Sequence, residues 1–162
     1  MRRTPATVIS TIWFALAPGL VSGLVPWLLT GWRMGRPLGY LFPLRLAGIA
    51  LVVASGAVLV HAFARFVVEG LGTPAPAAPP ERLVVGGLYR YVRNPMYVAS
   101  VAAIVGQLLV LWRLDLIWYT IAVTVVVVLF VHLYEEPRLR AQFGSQYAEY
   151  QRRVGRWFPR LR

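Results

Sequence analysis

The sequence predicts an all-α membrane protein, an integral-membrane bundle of four transmembrane helices with a C-terminal cytoplasmic amphipathic helix. Two observations predict this fold. Hydrophobic residues make up 58% of the 162 residues, only 14% are charged, and the mean hydropathy is +0.60, which is high for a soluble domain of this size. In addition, four stretches contain no Asp, Glu or Arg, and each is long enough to cross roughly 30 Å of hydrocarbon at about 1.5 Å per residue. These stretches are 8–32, 46–64, 96–112 and 116–134.

We expect the whole chain, 1–162, to form a single membrane domain. The predicted spans lie at about 8–32, 45–66, 95–112 and 115–134. The first span resembles a signal peptide, because Arg2 and Arg3 precede it and Ala15-Leu16-Ala17 imitates a cleavage site. However, Pro18 would follow the cut and the apolar stretch continues beyond it. A retained span is therefore the better interpretation.

The charge of the chain is strongly positive, with 17 Arg, no Lys and 6 acidic residues, for a net charge of +11. Nucleic-acid binding is disfavoured, because long uncharged runs separate the arginines and leave no continuous basic face. Thirteen arginines fall at the termini or between the second and third spans, against four on the other side, Arg33, Arg36, Arg45 and Arg113. This asymmetry predicts an integral protein of the bacterial inner (plasma) membrane with both termini cytoplasmic, in contact with membrane lipids.

Smaller signals refine this picture. The pairs Gly19/Gly23 and Ala102/Gly106 have the spacing that lets membrane helices approach closely. Only residues 113–115 separate the third and fourth spans, which predicts a tight antiparallel hairpin. The segment 70–80 is rich in Pro, Ala and Gly and is expected to be a flexible connection. The chain contains no Cys, which excludes disulfides, thiolate metal sites and cysteine nucleophiles, and no metal site is expected.

A first polar cluster, residues 81–97, precedes the third span. Gly86 and Gly87 allow a tight turn with close backbone approach to a ligand. Arg93 and neighbouring Tyr and Arg residues supply cationic groups and aromatic faces, and Pro95 suits the first turn of a helix. An aromatic belt with topogenic arginines explains the same composition equally well.

A second polar cluster, Glu135-Glu136-Pro137, follows the fourth span. Carboxylates at a helix C-terminus oppose the helix dipole and are costly beside a membrane. Pro137 can begin a new helix, which would place Glu136 favourably at its N-terminus. Beyond it, an apolar stripe at helical spacing predicts an amphipathic helix that lies on the membrane or folds back over the first cluster as a lid. The stripe consists of Leu139, Phe143, Tyr147, Tyr150 and Val154.

Several short motifs in the C-terminal half, over residues 81–159, together resemble the isoprenylcysteine carboxyl methyltransferase and phospholipid methyltransferase superfamily. The motifs are Gly87-Leu88-Tyr89, Arg93-Asn94-Pro95-Met96-Tyr97, Glu135-Glu136, Phe143-Gly144-x-x-Tyr147-x-x-Tyr150 and Val154-x-Arg156-Trp157-Phe158-Pro159. Each is weak alone, and their order and spacing around a helical hairpin make the combination specific.

The resemblance implies S-adenosylmethionine as methyl donor, in a cytoplasm-facing pocket built by the segments 81–97 and 135–159. The cofactor-binding positions that it implies are Glu81, Arg82, Leu83, Val84, Tyr89, Asn94, Pro95, Met96, Tyr97 and Glu135. The chemistry is consistent, since a carboxylate suits the ammonium and ribose of the donor, an arginine suits its carboxylate, and aromatic faces stabilise a sulfonium. Arg93, Glu136 and His132 are the candidate catalytic residues.

The sequence departs from the superfamily pattern at two positions. Asn94 stands where many members have His, which leaves hydrogen bonding but no titratable imidazole. Val131 stands where the eukaryotic isoprenylcysteine enzymes place a substrate-contacting Arg, which weighs against an isoprenylcysteine acceptor. His132 is either a proton acceptor or substrate contact, or an ordinary interfacial residue.

The sequence thus predicts an S-adenosylmethionine-dependent integral-membrane methyltransferase that acts on a lipophilic acceptor, a phospholipid amine or an isoprenoid or lipid carboxylate. An amine or hydroxyl acceptor needs a base, for which Glu136 and His132 are the nearest candidates. The alternative is a non-catalytic membrane binding or assembly protein with the same fold. A small multidrug exporter is disfavoured, because such transporters rely on an acidic residue within a span and the four spans contain none.

Overall fold

The computed structural model describes residues 16–35, 42–70 and 82–160. The helices are α1 (Leu16–Thr30), α2 (Phe42–Gly70), α3 (Pro95–Leu111), α4 (Asp115–Phe130) and α5 (Glu136–Arg153). Residues 8–15 of the predicted first span, residues 71–80 of the predicted flexible connection, and Glu81 lie outside the described residues.

The all-helical fold class is confirmed within the described residues, which contain no β-strand and only an isolated bridge between Val92 and Gly155. Two helices are long and apolar enough to cross a membrane. One extends over Phe42–Arg65, and the other begins at Asp115 and continues through α4 and α5. The described parts of α1 and α3 are shorter apolar helices.

Two prolines interrupt the regular α-helical hydrogen bonding in the same way. A π-helical turn at Leu20–Leu24 precedes Pro26, and another at Val131–Glu135 precedes Pro137. Proline lacks the N–H that would bond the carbonyl four residues earlier, and its ring crowds that carbonyl, so the helix widens there. Helices α4 and α5 are continuous through the second turn. Because this turn contains one extra residue, the side chains that follow it are rotated by about 100° around the helix axis.

The widened turn of α1 frees carbonyl groups that side chains of α3 and α4 satisfy. The Tyr119 hydroxyl donates to the Val21 carbonyl at 2.7 Å, and the Gln107 side-chain amide donates to the Ser22 carbonyl. The Ser22 hydroxyl donates in turn to the Ser100 carbonyl at 3.3 Å. These contacts join three helices in an otherwise apolar region, where an unpaired carbonyl would be costly.

Helices α2 and α3 pack through glycines. A methyl group on Gly48 would lie 2.8 Å from the Gly106 carbonyl oxygen, and one on Gly106 would lie 2.7 Å from Val52 Cγ2. The predicted close approach at Gly106 is confirmed. The corresponding expectation for Gly19 and Gly23 is wrong in the described part of the chain, where a methyl group added at either position would meet no other helix within 4 Å. Helix α1 makes its contacts through Ser22 instead.

The predicted hairpin between α3 and α4 is confirmed, because α3 ends at Leu111 and α4 begins at Asp115. Arg113 and Asp115 form an ion pair within the connection. Nearby, Arg45 of α2 donates through Nε to the Val110 carbonyl at 3.0 Å, which satisfies one of the free carbonyls at the end of α3.

Candidate functional site

A 3₁₀ turn at Gly87–Arg90 begins the candidate site. Gly87 has a φ of +55°, and a methyl group there would lie 3.0 Å from His61 Nε2 and 3.1 Å from Arg65 Cγ. Glycine is therefore required both by the left-handed backbone and by the close approach of α2. The predicted tight turn is confirmed, although its immediate neighbour is α2 rather than a ligand.

The turn rests on an apolar cluster. Val84, Tyr89 and Met96 are buried and pack with Ala62 of α2. Pro95, which begins α3, is also buried. These four predicted cofactor-binding residues are thus buried, and their packing fixes the 82–97 segment against α2 and α3.

An ion cluster lies where the 82–97 segment meets α5. Arg93 Nη1 donates to Glu136 Oε1 at 2.8 Å. Arg156 donates from Nε to Oε1 at 2.9 Å and from Nη2 to Oε2 at 2.7 Å, a bidentate arrangement that fixes the carboxylate. The Glu136 and Arg93 side chains are only 4% and 9% exposed. The hydrogen bonds to Glu136 raise the pKa of the Arg156 guanidinium, so Arg156 stays protonated.

Glu135 lies beside this cluster and has a different partner. The Tyr97 hydroxyl donates to Glu135 Oε2 at 2.9 Å. Burial raises the pKa of the Glu135 carboxyl, the Tyr97 hydrogen bond opposes this increase, and the negative charge of Glu136 adds to it. The two adjacent glutamates are therefore differentiated, because two arginines bind Glu136 whereas the Tyr97 hydroxyl is the only hydrogen-bond donor to Glu135 among the described residues.

The C-terminal segment, residues 154–160, folds back onto the first polar cluster. The Arg93 amide donates to the Gly155 carbonyl at 2.9 Å, and Asn94 Nδ2 donates to the Arg156 carbonyl at 3.2 Å. Gly155 occupies a tight turn, because a methyl group there would lie 1.9 Å from the Phe158 carbonyl oxygen. Asn94 thus has a definite structural role in holding this segment.

Helix α5 is bent at Gly144, whose φ of +51° and ψ of −122° are not helical. After the bend, Tyr147, Tyr150 and Val154 are buried together, with Leu83 packed against them. The Tyr150 hydroxyl donates to the Tyr89 carbonyl at 2.6 Å. All five residues of the predicted apolar stripe belong to this cluster, since Leu139 and Phe143 pack at its edge.

Most of the predicted site residues come together, and a few do not. Arg93 and Glu136 share an ion pair, Tyr97 and Glu135 share a hydrogen bond, and Asn94 lies between them and the C-terminal segment. Arg82 and His132 are exposed. No hydrogen bond or ion pair joins His132 to the polar groups above within the described part of the chain.

Sequence reasoning assigned no role to Arg156 or Gly155, although both lie within a motif that carried the resemblance. Arg156, in the C-terminal segment, binds Glu136, and the Gly155 carbonyl accepts a hydrogen bond from the Arg93 amide. Charge balance was the signal that could have identified Arg156. A carboxylate next to a membrane requires a cation, and Arg156 lies two residues after Val154, the last residue of the apolar stripe.

The chemistry of these groups fits a ligand that has both an amino-acid part and a polar sugar. Glu135 offers a carboxylate with one oxygen bonded to Tyr97. Arg93 Nε is buried and has no hydrogen-bond partner among the described residues. A buried donor without a partner is costly, and a ligand reaches this nitrogen only if the groups that cover it move.

A profile of the phospholipid methyltransferase family matches residues 44–146. The match extends over α2, the 82–97 segment, α3, α4 and α5 beyond its bend. No curated protein sequence gives a significant match to the chain. The family match covers more than half of the sequence and includes every residue of the Arg93–Glu136 and Tyr97–Glu135 pairs. The chain therefore belongs to the phospholipid methyltransferase family.

Proposed function

We propose that this protein is an integral-membrane methyltransferase that uses S-adenosylmethionine to methylate a lipophilic acceptor at the cytoplasmic face. The observation that carries the proposal is the paired arrangement of Glu135 with Tyr97 next to Arg93 with Glu136. Family membership supports a methyltransferase acting on lipid-related substrates, and the charge-differentiated glutamates support a site for a zwitterionic cofactor.

Four membrane spans and two cytoplasmic termini are part of this proposal. Two observations support them. Two helices are long and apolar enough to span a membrane, and α1 and α3 are apolar helices packed beside them. The described arginines are also segregated, since Arg33, Arg45 and Arg113 lie near one end of the helices while Arg93 and Arg156 lie at the other. Helix α5 would then cover the cytoplasmic end.

Each polar group has a distinct proposed role. S-adenosylmethionine, when bound, supplies an electrophilic methyl group. Glu135 accepts hydrogen bonds from the ammonium or ribose hydroxyls, and Tyr97 fixes the orientation of its carboxylate. Arg93 supplies the positive charge next to which the ligand carboxylate binds. Glu136 is a positioning residue, because both of its oxygens are engaged by guanidinium groups, which makes it less suitable as a base than its position in the sequence suggested.

The remaining predicted residues have supporting roles. Val84, Tyr89, Pro95 and Met96 hold the segment in place by packing, and Leu83 closes the side next to Tyr150. The His132 side chain is exposed, and we propose that it takes the proton of an acceptor that arrives from the bilayer. Glu81 and Arg82 remain predicted cofactor-binding residues on the basis of the resemblance.

The competing hypothesis is a non-catalytic protein that retains the fold. The specific observation that favours it is the bond from Asn94 to the Arg156 carbonyl, which gives this position a structural use in place of a titratable one. Methyl transfer from a sulfonium depends largely on alignment and on exclusion of water. For this reason, the absence of an imidazole at position 94 does not by itself remove activity.

Transfer of labelled methyl groups tests the proposal. The full-length protein in nanodiscs is incubated with methyl-labelled S-adenosylmethionine and a total lipid extract, and the lipid phase is counted and separated by headgroup. Label in an amine-containing phospholipid is the expected result. Saturable binding of S-adenosylhomocysteine without any transfer would support the non-catalytic hypothesis instead, and the absence of both would overturn the proposed function.

A further inference from the structure

Residues 155–160 form a short strap that follows α5 and lies across the first polar cluster. Val154, immediately before the strap, is buried in the apolar cluster at the end of α5, so this end is anchored. Gly155 and Arg156 make the hydrogen bonds between the strap and the site. Farther along, Phe158 is 79% exposed. The strap is therefore attached through its first two residues, next to a firmly packed position.

The strap lies over an arginine that the proposed function assigns to the ligand carboxylate. The Arg93 amide donates to the Gly155 carbonyl, and the Arg93 and Arg156 guanidinium groups share Glu136 Oε1. Within these contacts, Arg93 Nε is buried and has no hydrogen-bond partner among the described residues. Moving the strap would take the Gly155 carbonyl and the Arg156 guanidinium away from Arg93, which opens a route to it.

Release of the strap costs little for a contact that includes an ion pair. The Arg156 side chain is 31% exposed, so water can solvate its guanidinium as it leaves. Glu136 is buried but keeps its 2.8 Å bond from Arg93 Nη1. The costly outcome, a buried carboxylate without a cation, is therefore avoided. Local opening of such a segment needs less free energy than global unfolding.

We propose that residues 155–160 close over Arg93 in the ligand-free protein and swing open after Val154 to admit the ligand. The ion pair between Arg156 and Glu136 fastens the strap. A ligand carboxylate has the same charge and shape as the Glu136 side chain, so it competes for the same guanidinium groups and loosens this fastening. The identity of the ligand rests on the proposed function, whereas opening of the strap does not.

Modification of arginine by phenylglyoxal tests the proposal in the ligand-free, full-length protein in detergent. The rate at Arg93, mapped by mass spectrometry, reports how often its cover opens. R156Q removes two hydrogen bonds to a carboxylate, and Arg93 in this variant should react at least about tenfold faster than in the wild type. The control R160Q makes the same change in charge within the strap but leaves the fastening in place, and Arg93 should react within about twofold of the wild-type rate.

Two further readouts separate opening of the strap from loss of the fold. Arg45 binds the Val110 carbonyl at the other end of the helices and should react at the same rate in every variant. Gly155→Ala places a methyl group 1.9 Å from the Phe158 carbonyl oxygen, which disturbs the strap without changing any charge. This variant should also react faster at Arg93.

Equal rates at Arg93 in the wild type, R156Q and Gly155→Ala would overturn the proposal, and so would equal acceleration at Arg93 and Arg45. Dissociation of labelled S-adenosylhomocysteine should be faster from R156Q than from the wild type, and an unchanged rate would show that the strap does not control access. Faster modification of Arg93 in R156Q, with no S-adenosylhomocysteine binding by the wild type, would support the strap and contradict the proposed function. The two proposals can therefore fail separately.

Discussion

The Tyr97 hydroxyl donates a 2.9 Å hydrogen bond to Glu135 Oε2, and this bond joins the first turn of α3 to the end of the widened turn between α4 and α5. A single Tyr side chain therefore sets the orientation of the carboxylate that we assign to the cofactor. The neighbouring Glu136 is held differently, by two arginines from other parts of the chain. Adjacent residues of the same type thus have separable roles.

Removing the Tyr97 hydroxyl tests the orienting role. Tyr97→Phe leaves the packing nearly unchanged and removes one hydrogen bond to a carboxylate, which is worth about 1.5–3 kcal/mol. We expect S-adenosylhomocysteine affinity to fall at least about tenfold, as measured by calorimetry. Tyr119→Phe is the control, because it removes a hydrogen bond to the Val21 carbonyl that lies elsewhere. Equal affinities for both variants would contradict the assignment.

Glu135 also predicts a dependence of binding on pH. Burial raises its pKa above the ordinary value, so the carboxyl stays protonated to a higher pH than an exposed glutamate does. The ammonium of the ligand favours the ionised form, and binding should therefore release a proton. We expect S-adenosylhomocysteine affinity to increase as pH rises from the ordinary glutamate range through this raised pKa. Glu135→Gln should bind weakly with no such dependence on pH, and a parallel dependence in this variant would assign the titration to another group.

The Arg93–Glu136–Arg156 cluster predicts a large effect on stability. Glu136→Gln leaves two guanidinium groups facing each other, with Arg93 buried, and is expected to lower the free energy of unfolding by about 3 kcal/mol. Glu149→Gln breaks the exposed pair with Arg153 and should cost less than about 1 kcal/mol. Chemical denaturation in mixed micelles compares the two, and similar losses would show that the cluster does not hold the C-terminal segment.

The contact between α2 and α3 predicts a difference between two glycines. In Gly106→Ala, the new methyl group meets Val52 and the Gly48 carbonyl at less than 3 Å, so the helices must separate, at a cost of about 1–3 kcal/mol. Gly56→Ala adds a methyl group where nothing lies within 4 Å and should leave stability unchanged or slightly raised. Thermal unfolding in detergent distinguishes the two variants, and an equal response would contradict this packing.

The sequence was sufficient to predict the helical fold class, the hairpin and the beginning of α5 near Pro137. These depend on local properties, namely apolar length, a short connection, and a proline that lacks an N–H group. The packing of α1 was not predictable, because the Gly19/Gly23 spacing is a local signal with several possible partners. The contact instead follows from the Leu20–Leu24 turn, whose freed carbonyls attract Gln107 and Tyr119.

The candidate site was predictable in its residues but only partly in its pairing. The motifs indicated that Arg93, Tyr97, Glu135 and Glu136 belong together. Which glutamate meets which partner depends on the rotation of the helix through the Val131–Glu135 turn, and that rotation is a property of the three-dimensional backbone. Arg156 was not assigned because its contact with Glu136 also depends on the three-dimensional backbone. The contact requires the C-terminal segment to fold back over the first polar cluster.

Binding of S-adenosylhomocysteine to the purified full-length protein is the most direct test of the proposed function. The measurement compares wild type, Glu135→Ala and the matched control Glu149→Ala, which removes an acidic residue that lies outside the paired glutamates. We predict saturable binding by the wild type and by Glu149→Ala, and at least a tenfold loss in Glu135→Ala. Absence of saturable binding by the folded wild-type protein, or equal affinity in Glu135→Ala, would contradict the proposed cofactor site.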